Sequence, residues 1–275
     1  MYMRLKDGKS KVVTLSYDDG TVQDARLIGI MNRYGLKGTF NISSGRYFPE
    51  DGVREKYAGI MKRSESIELY ANSGHEVAIH VYTHPFLNLL STDEIIYEIL
   101  EDRKNLEADF KTVVRGMAYP YGSYNDEIIN ILKMCKIAYS RTVNSTEDFG
   151  FPKEWLELNP TTHHANPKLM ELADRFIKGN KWNNAQMFYL WGHTYEFDNE
   201  DNWDVIEEFA KKIGGREDIW YATNIEIYEY VKAYEALVTS TDKRVIYNPS
   251  AIPVWFAPEV NSESVCINPG ETINL

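Results

Sequence analysis

The 275-residue sequence has only two cysteines, no long apolar run and no excess of positive charge. Cys135 and Cys266 lie far apart in the chain and cannot build the disulfide framework of a small secreted domain, so we expect free, buried thiols. No apolar stretch of about 20 residues occurs, and no basic segment followed by an apolar one precedes the first strand pattern. The sequence therefore predicts neither a membrane span nor a signal peptide, which favours a cytoplasmic location.

The charge balance excludes further classes of partner. Thirty Lys and Arg face 41 Asp and Glu, giving a net charge of −11. Nucleic acids and anionic membranes bind clustered Lys and Arg, so we expect neither as a partner. Nothing in the composition indicates the oligomeric state.

Short β-rich runs alternate with helical patterns over most of the chain. Lys11–Tyr17 and Glu76–His80 are typical of strands, and Ser91–Glu94 is a capping box that opens a long helix. This alternation predicts an α/β fold with a parallel sheet or barrel. From about Arg244 the pattern changes to short strand-like runs separated by Asn-Pro turns. We predict a catalytic domain over residues 1–240 and a small antiparallel β appendage over 241–275, packed on it.

Two groups of polar residues follow predicted strands, where the loops of a parallel sheet converge. Asp18 and Asp19 repel each other, so they need a metal ion, an Arg partner or open solvent; a solvated turn is the simpler interpretation. His80 and His84 can share one metal if their segment turns helically, or they are ordinary loop histidines. Asp19 with the two histidines would leave open positions for water and substrate, as catalytic zinc requires.

A third group follows a later strand, and a fourth lies near residue 190. Taken alone, Arg115 and the Pro-Tyr-Gly turn after it would be a surface cation and a β-turn. In order along the chain, the four groups are Thr14–Gly20 (TLSYDDG), His80–His84 (HVYTH), Arg115–Gly122 (RGMAYPYG) and Leu190–His193 (LWGH). With these motifs the sequence resembles the polysaccharide deacetylase family, carbohydrate esterase family four, from about Lys11 to Tyr230.

The resemblance implies a fold and a metal. The fold would be a distorted (β/α) barrel of about seven parallel strands. A divalent metal, zinc first and cobalt, iron or nickel as alternatives, would be bound by Asp19, His80 and His84. The partner would be an N-acetylated carbohydrate substrate.

The resemblance also implies catalytic roles. Asp18 would be the general base, Arg115 would pair with Asp18, and His193 would be the general acid. In the turn that contains Pro120, the backbone N–H of Tyr121 would help to stabilise the oxyanion. The reaction would be removal of an N-acetyl group from a sugar by a metal-activated water.

Some residues depart from the family pattern. The family usually supports its acid histidine with an Asp-rich, Trp-containing motif, and Asp148 is the candidate here, although the spacing differs. His163 and His164 have no counterpart, and either line the substrate cleft or lie in a polar loop. Trp191 stands where an aliphatic residue is more common, which predicts a wall of the acyl or sugar pocket.

Two other functions remain open from the sequence. A hydrolase of a small cyclic amide or imide would use the same fold, but its relatives usually keep a weaker metal motif. A carbohydrate-binding module with a vestigial site would not need Asp18, Arg115 and His193 beside the metal ligands.

Overall fold

The computed structural model describes residues 1–53, 59–179 and 184–275. The strands, in chain order, are β1 (Tyr2–Arg4), β2 (Lys11–Asp18), β3 (Gly38–Ile42), β4 (Glu76–Ile79), β5 (Gly116–Ala118), β6 (Tyr139–Arg141), β7 (Thr162–His163), β8 (Gln186–His193), β9 (Ile219–Tyr221), β10 (Val238–Thr239), β11 (Val245–Tyr247), β12 (Val254–Ala257), β13 (Val265–Ile267) and β14 (Thr272–Asn274). The helices are α1 (Asp24–Arg33), α2 (Arg63–Tyr70), α3 (Thr92–Phe110), α4 (Asp126–Met134), α5 (Leu169–Lys178), α6 (Tyr195–Asn199), α7 (Trp203–Ile213) and α8 (Asn224–Glu235).

A parallel sheet forms the centre of the molecule. Its order is β6-β5-β4-β3-β2-β8-β7, and β9 pairs with the first half of β2. The segment from Leu158 to His163 bonds to β6 at its start and to β8 at its end, and so links the two ends of the sheet. The predicted distorted barrel of about seven parallel strands is confirmed.

The burial pattern explains why these segments are strands and helices. Every residue of β2 is buried, as expected for a strand covered on both faces. Helix α5 is amphipathic and buries Leu169, Leu172, Ala173 and Phe176 on one face. At the start of α3 the predicted capping box is present, since Glu94 accepts a hydrogen bond from the Ser91 backbone N–H at 2.8 Å.

The C-terminal strands form two small antiparallel sheets, as the sequence predicted. One has the order β1-β12-β13 and the other β10-β11-β14. Strands β1 and β10 lie outside residues 241–275 and were not predicted. The proposed domain division at residue 240 remains a prediction.

Both cysteines are free, but only Cys135 is buried. The expectation for Cys266 was wrong, because this residue lies on the outward face of β13, between the half-buried Val265 and the buried Ile267. Within residues 1–53, 59–179 and 184–275, no helix combines the length and apolar character that crossing a bilayer requires.

Candidate active site

The predicted motifs meet at the carboxyl end of the barrel. Strand β2 ends at Asp18, His80 follows β4, and β8 ends at His193. Because all these strands are parallel, their ends face one side, where they enclose a cleft of about 420 Å3. The cleft is lined by Asp18, Asp19, Arg46, His80, His84, Tyr119, Tyr121, Val143, Trp191, His193 and Tyr195.

Asp19, His80 and His84 come together as the sequence predicted. One ligand atom from each lies within 4.8 Å of the others. The two imidazole Nε2 atoms are 3.1 Å apart, and His84 Nε2 is 3.7 Å from Asp19 Oδ1. The carbonyl oxygen of Ala118 lies 2.8 Å from His80 Nδ1, so Nδ1 carries the ring proton and Nε2 faces the cluster with a free lone pair.

Burial keeps both imidazoles neutral. It lowers the pKa of His80, and together with the neighbouring His80 it lowers the pKa of His84 to about 4. A neutral ring is the form that binds a cation, so both histidines are in the protonation state that a metal site requires.

The backbone around this cluster is strained. Asp19, Val81, His84 and Tyr121 have φ angles of +77°, +54°, +62° and +56°, in the left-handed region that side chains other than glycine rarely adopt. Such strain is typical of functional sites, where the surrounding structure holds a side chain in a required direction.

Asp18 lies behind the cluster and is almost fully buried, with 2% of its surface exposed. Its carboxylate accepts hydrogen bonds from Arg141 Nη2 and, at 2.8 Å, from Asn41 Nδ2. Burial by itself would raise the pKa of Asp18, but Arg141, His80 and His193 outweigh it and lower the pKa to about 2. Asp18 is therefore ionised throughout the physiological pH range.

Arg115 is not the partner of Asp18, and that prediction was wrong. Arg115 precedes β5 and so lies at the amino end of the barrel, where it pairs with Glu229. Arg141 ends β6 at the carboxyl end of the barrel, is fully buried, and supplies the guanidinium instead. Its guanidinium carbon also lies 4.3 Å from the centre of the Trp191 ring.

His193 faces Asp18 across the cleft, with 3.8 Å between His193 Nε2 and Asp18 Oδ2. On the other side of the ring, Nδ1 lies 3.0 Å from Glu196 Oε1. Burial opposes a charge on this imidazole, yet the hydrogen bond to Glu196 and the charge of Asp18 raise the pKa of His193 above its usual value.

Glu196 therefore occupies the position that the sequence analysis considered for Asp148. The Asp148 carboxylate accepts a hydrogen bond from the adjacent Phe149 backbone N–H, within its own loop. Glu196 lies three residues after His193, on the short helix α6. This spacing is the sequence signal that could have identified Glu196 as the partner of His193.

His163 and His164 lie behind Glu196 and line a neighbouring cavity of about 490 Å3, outside the lining of the catalytic cleft. Their Nε2 atoms are 3.2 and 3.0 Å from Glu196 Oε2. Trp191 lines the cleft, as predicted, and the edge-on ring of His163 lies 4.6 Å from it.

The Pro-Tyr-Gly turn forms another wall of the cleft. Pro120 is buried, while Tyr121 is 57% exposed and stacks on Phe86 with 4.0 Å between ring centres. The role of the Tyr121 backbone N–H remains a prediction. Arg46, which the sequence analysis did not select, places Nη1 3.2 Å from Asp19 Oδ1 at the rim.

Several known proteins are similar to this chain. The family model described as polysaccharide deacetylase matches residues 5–140. Chitin deacetylase 1 of Cryptococcus neoformans is 27% identical over 115 residues, covering 42% of this chain and 22% of that protein. The peptidoglycan-N-acetylmuramic acid deacetylase PdaC of Bacillus subtilis is 28% identical over 135 residues, with coverages of 46% and 25%. The chain thus spans about a quarter of the length of these curated relatives.

One solved structure shows the same fold over most of its length. It is a Mycobacterium smegmatis protein assigned as a polysaccharide deacetylase, with a TM-score of 0.62 at 18% identity, covering 85% of this chain and 94% of that protein. The motifs, the matched family model and the shared fold lead to one conclusion: the chain belongs to the polysaccharide deacetylase family.

Proposed function

We propose that this protein is a metal-dependent hydrolase that removes the N-acetyl group from an N-acetylated sugar. One observation carries the proposal: a carboxylate and two neutral imidazoles lie beside a second carboxylate, Asp18, and a separate imidazole, His193. The first three can hold a cation, and the other two are free to move protons.

The ligand set fits zinc. A tetrahedral zinc site with bonds of about 2.1 Å places its ligand atoms about 3.4 Å apart. The separations of 3.1 Å between His80 and His84 and 3.7 Å between His84 and Asp19 lie close to that value. Cobalt, iron or nickel would accept the same ligand types. When bound, the cation would polarise the amide carbonyl and acidify the attacking water.

Asp18 is the proton acceptor in this proposal. It is ionised at neutral pH, and Arg141 and Asn41 hold its carboxylate in a fixed direction. Because the pKa of Asp18 is about 2, the ionised fraction of this carboxylate does not vary between pH 5 and 9. The protein contributes the orientation of the Asp18 carboxylate toward the cleft more than it contributes basicity.

His193 is the proton donor. Glu196 binds Nδ1, so Nε2 points toward the cleft and Asp18. The raised pKa of His193 increases the share of the protonated ring near neutral pH, which suits protonation of the leaving amine. We expect the Tyr121 backbone N–H to donate to the developing oxyanion.

The aromatic walls support a sugar as the substrate. Tyr121, Trp191 and Tyr195 line the cleft, and aromatic rings pack well against the apolar faces of pyranose rings. The relatives named for chitin and peptidoglycan support the same substrate class.

The test is a hydrolysis screen of the metal-stripped protein, with zinc or cobalt added back, that records acetate release from N-acetylated sugars and ring opening of cyclic amides. N-acetylhexosamine oligomers and small cyclic amides serve as the two substrate classes. We expect acetate from the oligomers only after metal is restored, and no turnover by Asp18→Asn although metal stays bound. His193→Ala should lower the rate about 10²–10⁴-fold, the usual effect of losing an acid–base group.

The matched control is Asp148→Asn, an exchange of the same type in a loop outside the cleft. It should keep full activity. Full activity of the metal-free protein would contradict the proposal, and turnover restricted to cyclic amides would replace its substrate.

A further inference from the structure

A second cluster of metal-binding side chains lies next to the proposed site. His163, His193 and Glu196 each place a ligand atom within 4.8 Å of the others. His164 is a further neighbour of the carboxylate, with its Nε2 3.0 Å from Glu196 Oε2. Three of the six histidines of the chain thus surround one carboxylate.

Support of His193 alone does not explain this cluster. For that purpose the contact between Glu196 Oε1 and His193 Nδ1 is sufficient. The other oxygen, Oε2, receives two more imidazoles, at 3.2 and 3.0 Å. These two rings share the negative charge of Glu196 with His193. Glu196 therefore stabilises a charged His193 less than it would if His193 were its one partner.

The position of His164 is built into the fold. Its ring is buried and lies 4.1 Å from the ring of Phe197 and 5.7 Å from that of Tyr17, nearly parallel to both. A Cβ on Gly192 would come within 2.0 Å of His164 Nδ1, so only glycine at position 192 leaves room for this ring.

The cluster also has its own access route. His163, His164 and Glu196 line the cavity of about 490 Å3, whereas His193 lines the catalytic cleft. A small cation could therefore reach Glu196 from the second cavity without passing through the substrate cleft.

We propose that His163, His193 and Glu196 form a second divalent-cation site, of the class that binds zinc, with His164 in contact with the same carboxylate. Two imidazole nitrogens and a carboxylate match the ligand types of zinc. Through its two oxygens, Glu196 lies 3.2 Å from His163 Nε2 and 3.0 Å from His193 Nδ1, close to the ligand spacing of about 3.4 Å in a tetrahedral zinc site. Before a ring nitrogen that donates to Glu196 can bind a cation, its proton must move to the other ring nitrogen or, in an imidazolium, leave to water.

The consequence for activity rests on the proposed function, whereas the binding does not. A cation on His193 Nδ1 takes the position that a proton occupies in the imidazolium. The Nε2 proton that remains is much less acidic than the Nε2 proton of an imidazolium, so His193 becomes a poor donor to the leaving amine. We therefore expect the second cation to inhibit the enzyme.

Zinc binding to the metal-stripped full chain tests the proposal, by equilibrium dialysis with elemental analysis. We expect two zinc ions per chain at saturation. His163→Ala and Glu196→Gln should each bind one ion, and so should His84→Ala, which lacks a ligand of the first cluster. His163→Ala with His84→Ala should bind none. His163 is partly exposed, and Glu196→Gln keeps the size of the side chain. At least one of these two variants should therefore fold.

Glu200→Gln is the control, because Glu200 lines the same cavity, is exposed and is not in the cluster. It should still bind two ions. In activity assays, excess zinc should inhibit the wild type and not His163→Ala. A single zinc in the wild type that only His84→Ala removes would overturn this inference and leave the proposed function intact. Absence of any bound zinc would overturn both.

Discussion

Asp18 and Asp19 are neighbours in sequence, but their carboxylates lie in different environments. Asp18 is the last residue of β2 and contacts Arg141 inside the barrel, while Asp19, at a φ of +77°, contacts His84 and Arg46 in the cleft. Each carboxylate therefore has its own cationic or imidazole partner. This arrangement resolves the repulsion between adjacent charges that the sequence analysis identified.

The buried pair of Asp18 and Arg141 makes a prediction about stability. Arg141→Met should lower the free energy of unfolding by about 3–5 kcal/mol, because Asp18 would remain buried without a counter-charge. Arg115→Met is the matched control and should cost less than about 1 kcal/mol, since its pair with Glu229 is at the surface. Urea unfolding measures both values. Equal losses in the two variants would contradict the assignment of Arg141.

Asp24 makes a prediction about pH. Burial raises its pKa to about 7, although Thr194 and Tyr70 donate hydrogen bonds to it. An unfolded Asp has a pKa of about 3.9, so between pH 4 and 7 the folded chain holds a proton that the unfolded chain has lost. Stability should therefore fall as the pH rises through this window. In urea titrations at a series of pH values, Asp24→Asn should show a flatter decline; an unchanged slope would exclude Asp24 as the cause.

At the scale of elements, helix α3 positions the loop that carries His80 and His84. Asp102 accepts hydrogen bonds from the backbone N–H groups of Ser44 and His80, at 2.7 and 3.2 Å. One turn earlier, Glu98 accepts from the backbone and hydroxyl of Thr83, at 2.7 and 2.6 Å. Two carboxylates on one face of a helix thus hold the strained segment in place.

Asp102→Asn should weaken zinc binding about 10-fold, at the low end of the effects known for residues that orient metal ligands. The amide NH2 would face a backbone N–H and lose one of the two hydrogen bonds. Glu101→Gln is the control on the same helix, because the Glu101 carboxylate pairs with Lys104 on that helix. Competition with a chelator measures the affinities. If both variants bound zinc equally well, α3 would have no role in positioning the metal ligands.

The sequence predicted the elements better than their pairing. Local signals, such as the periodicity of α3 and its capping box, place most helices and strands within a few residues. Whether Arg115 or Arg141 reaches the site depends on which end of a strand each residue occupies. The sequence patterns predict strands over Val113–Tyr119 and Ile137–Val143, which extend past both residues and so do not place them at an end. Glu196 was missed because its role requires the position of α6 beside β8. Strand β1 was missed because its partner, β12, lies about 250 residues away.

At the scale of the whole molecule, Tyr230 on α8 joins the barrel to the antiparallel sheet β1-β12-β13. Its hydroxyl donates to the Arg4 carbonyl oxygen at 2.8 Å and accepts from the Trp255 backbone N–H at 2.9 Å. One side chain therefore satisfies backbone groups of both β1 and β12. The first and last parts of the chain are bound to the same helix.

Tyr230→Phe should lower the free energy of unfolding by about 1–3 kcal/mol, because it leaves these two backbone groups without their partner. Tyr234→Phe on the same helix should change it little, since the Tyr234 hydroxyl has no hydrogen-bond partner among the described residues. Thermal or urea unfolding distinguishes the two. A Tyr230→Phe variant as stable as the wild type would show that the antiparallel sheet does not depend on this contact.

The most direct test of the catalytic account is a crystal structure of the protein loaded with one equivalent of zinc, with anomalous scattering recorded at the zinc edge. The account predicts a peak bonded to Asp19, His80 and His84 at about 2.0–2.2 Å, with Asp18 outside the coordination shell. A peak that avoids these three residues, or that takes Asp18 as a ligand, would contradict it.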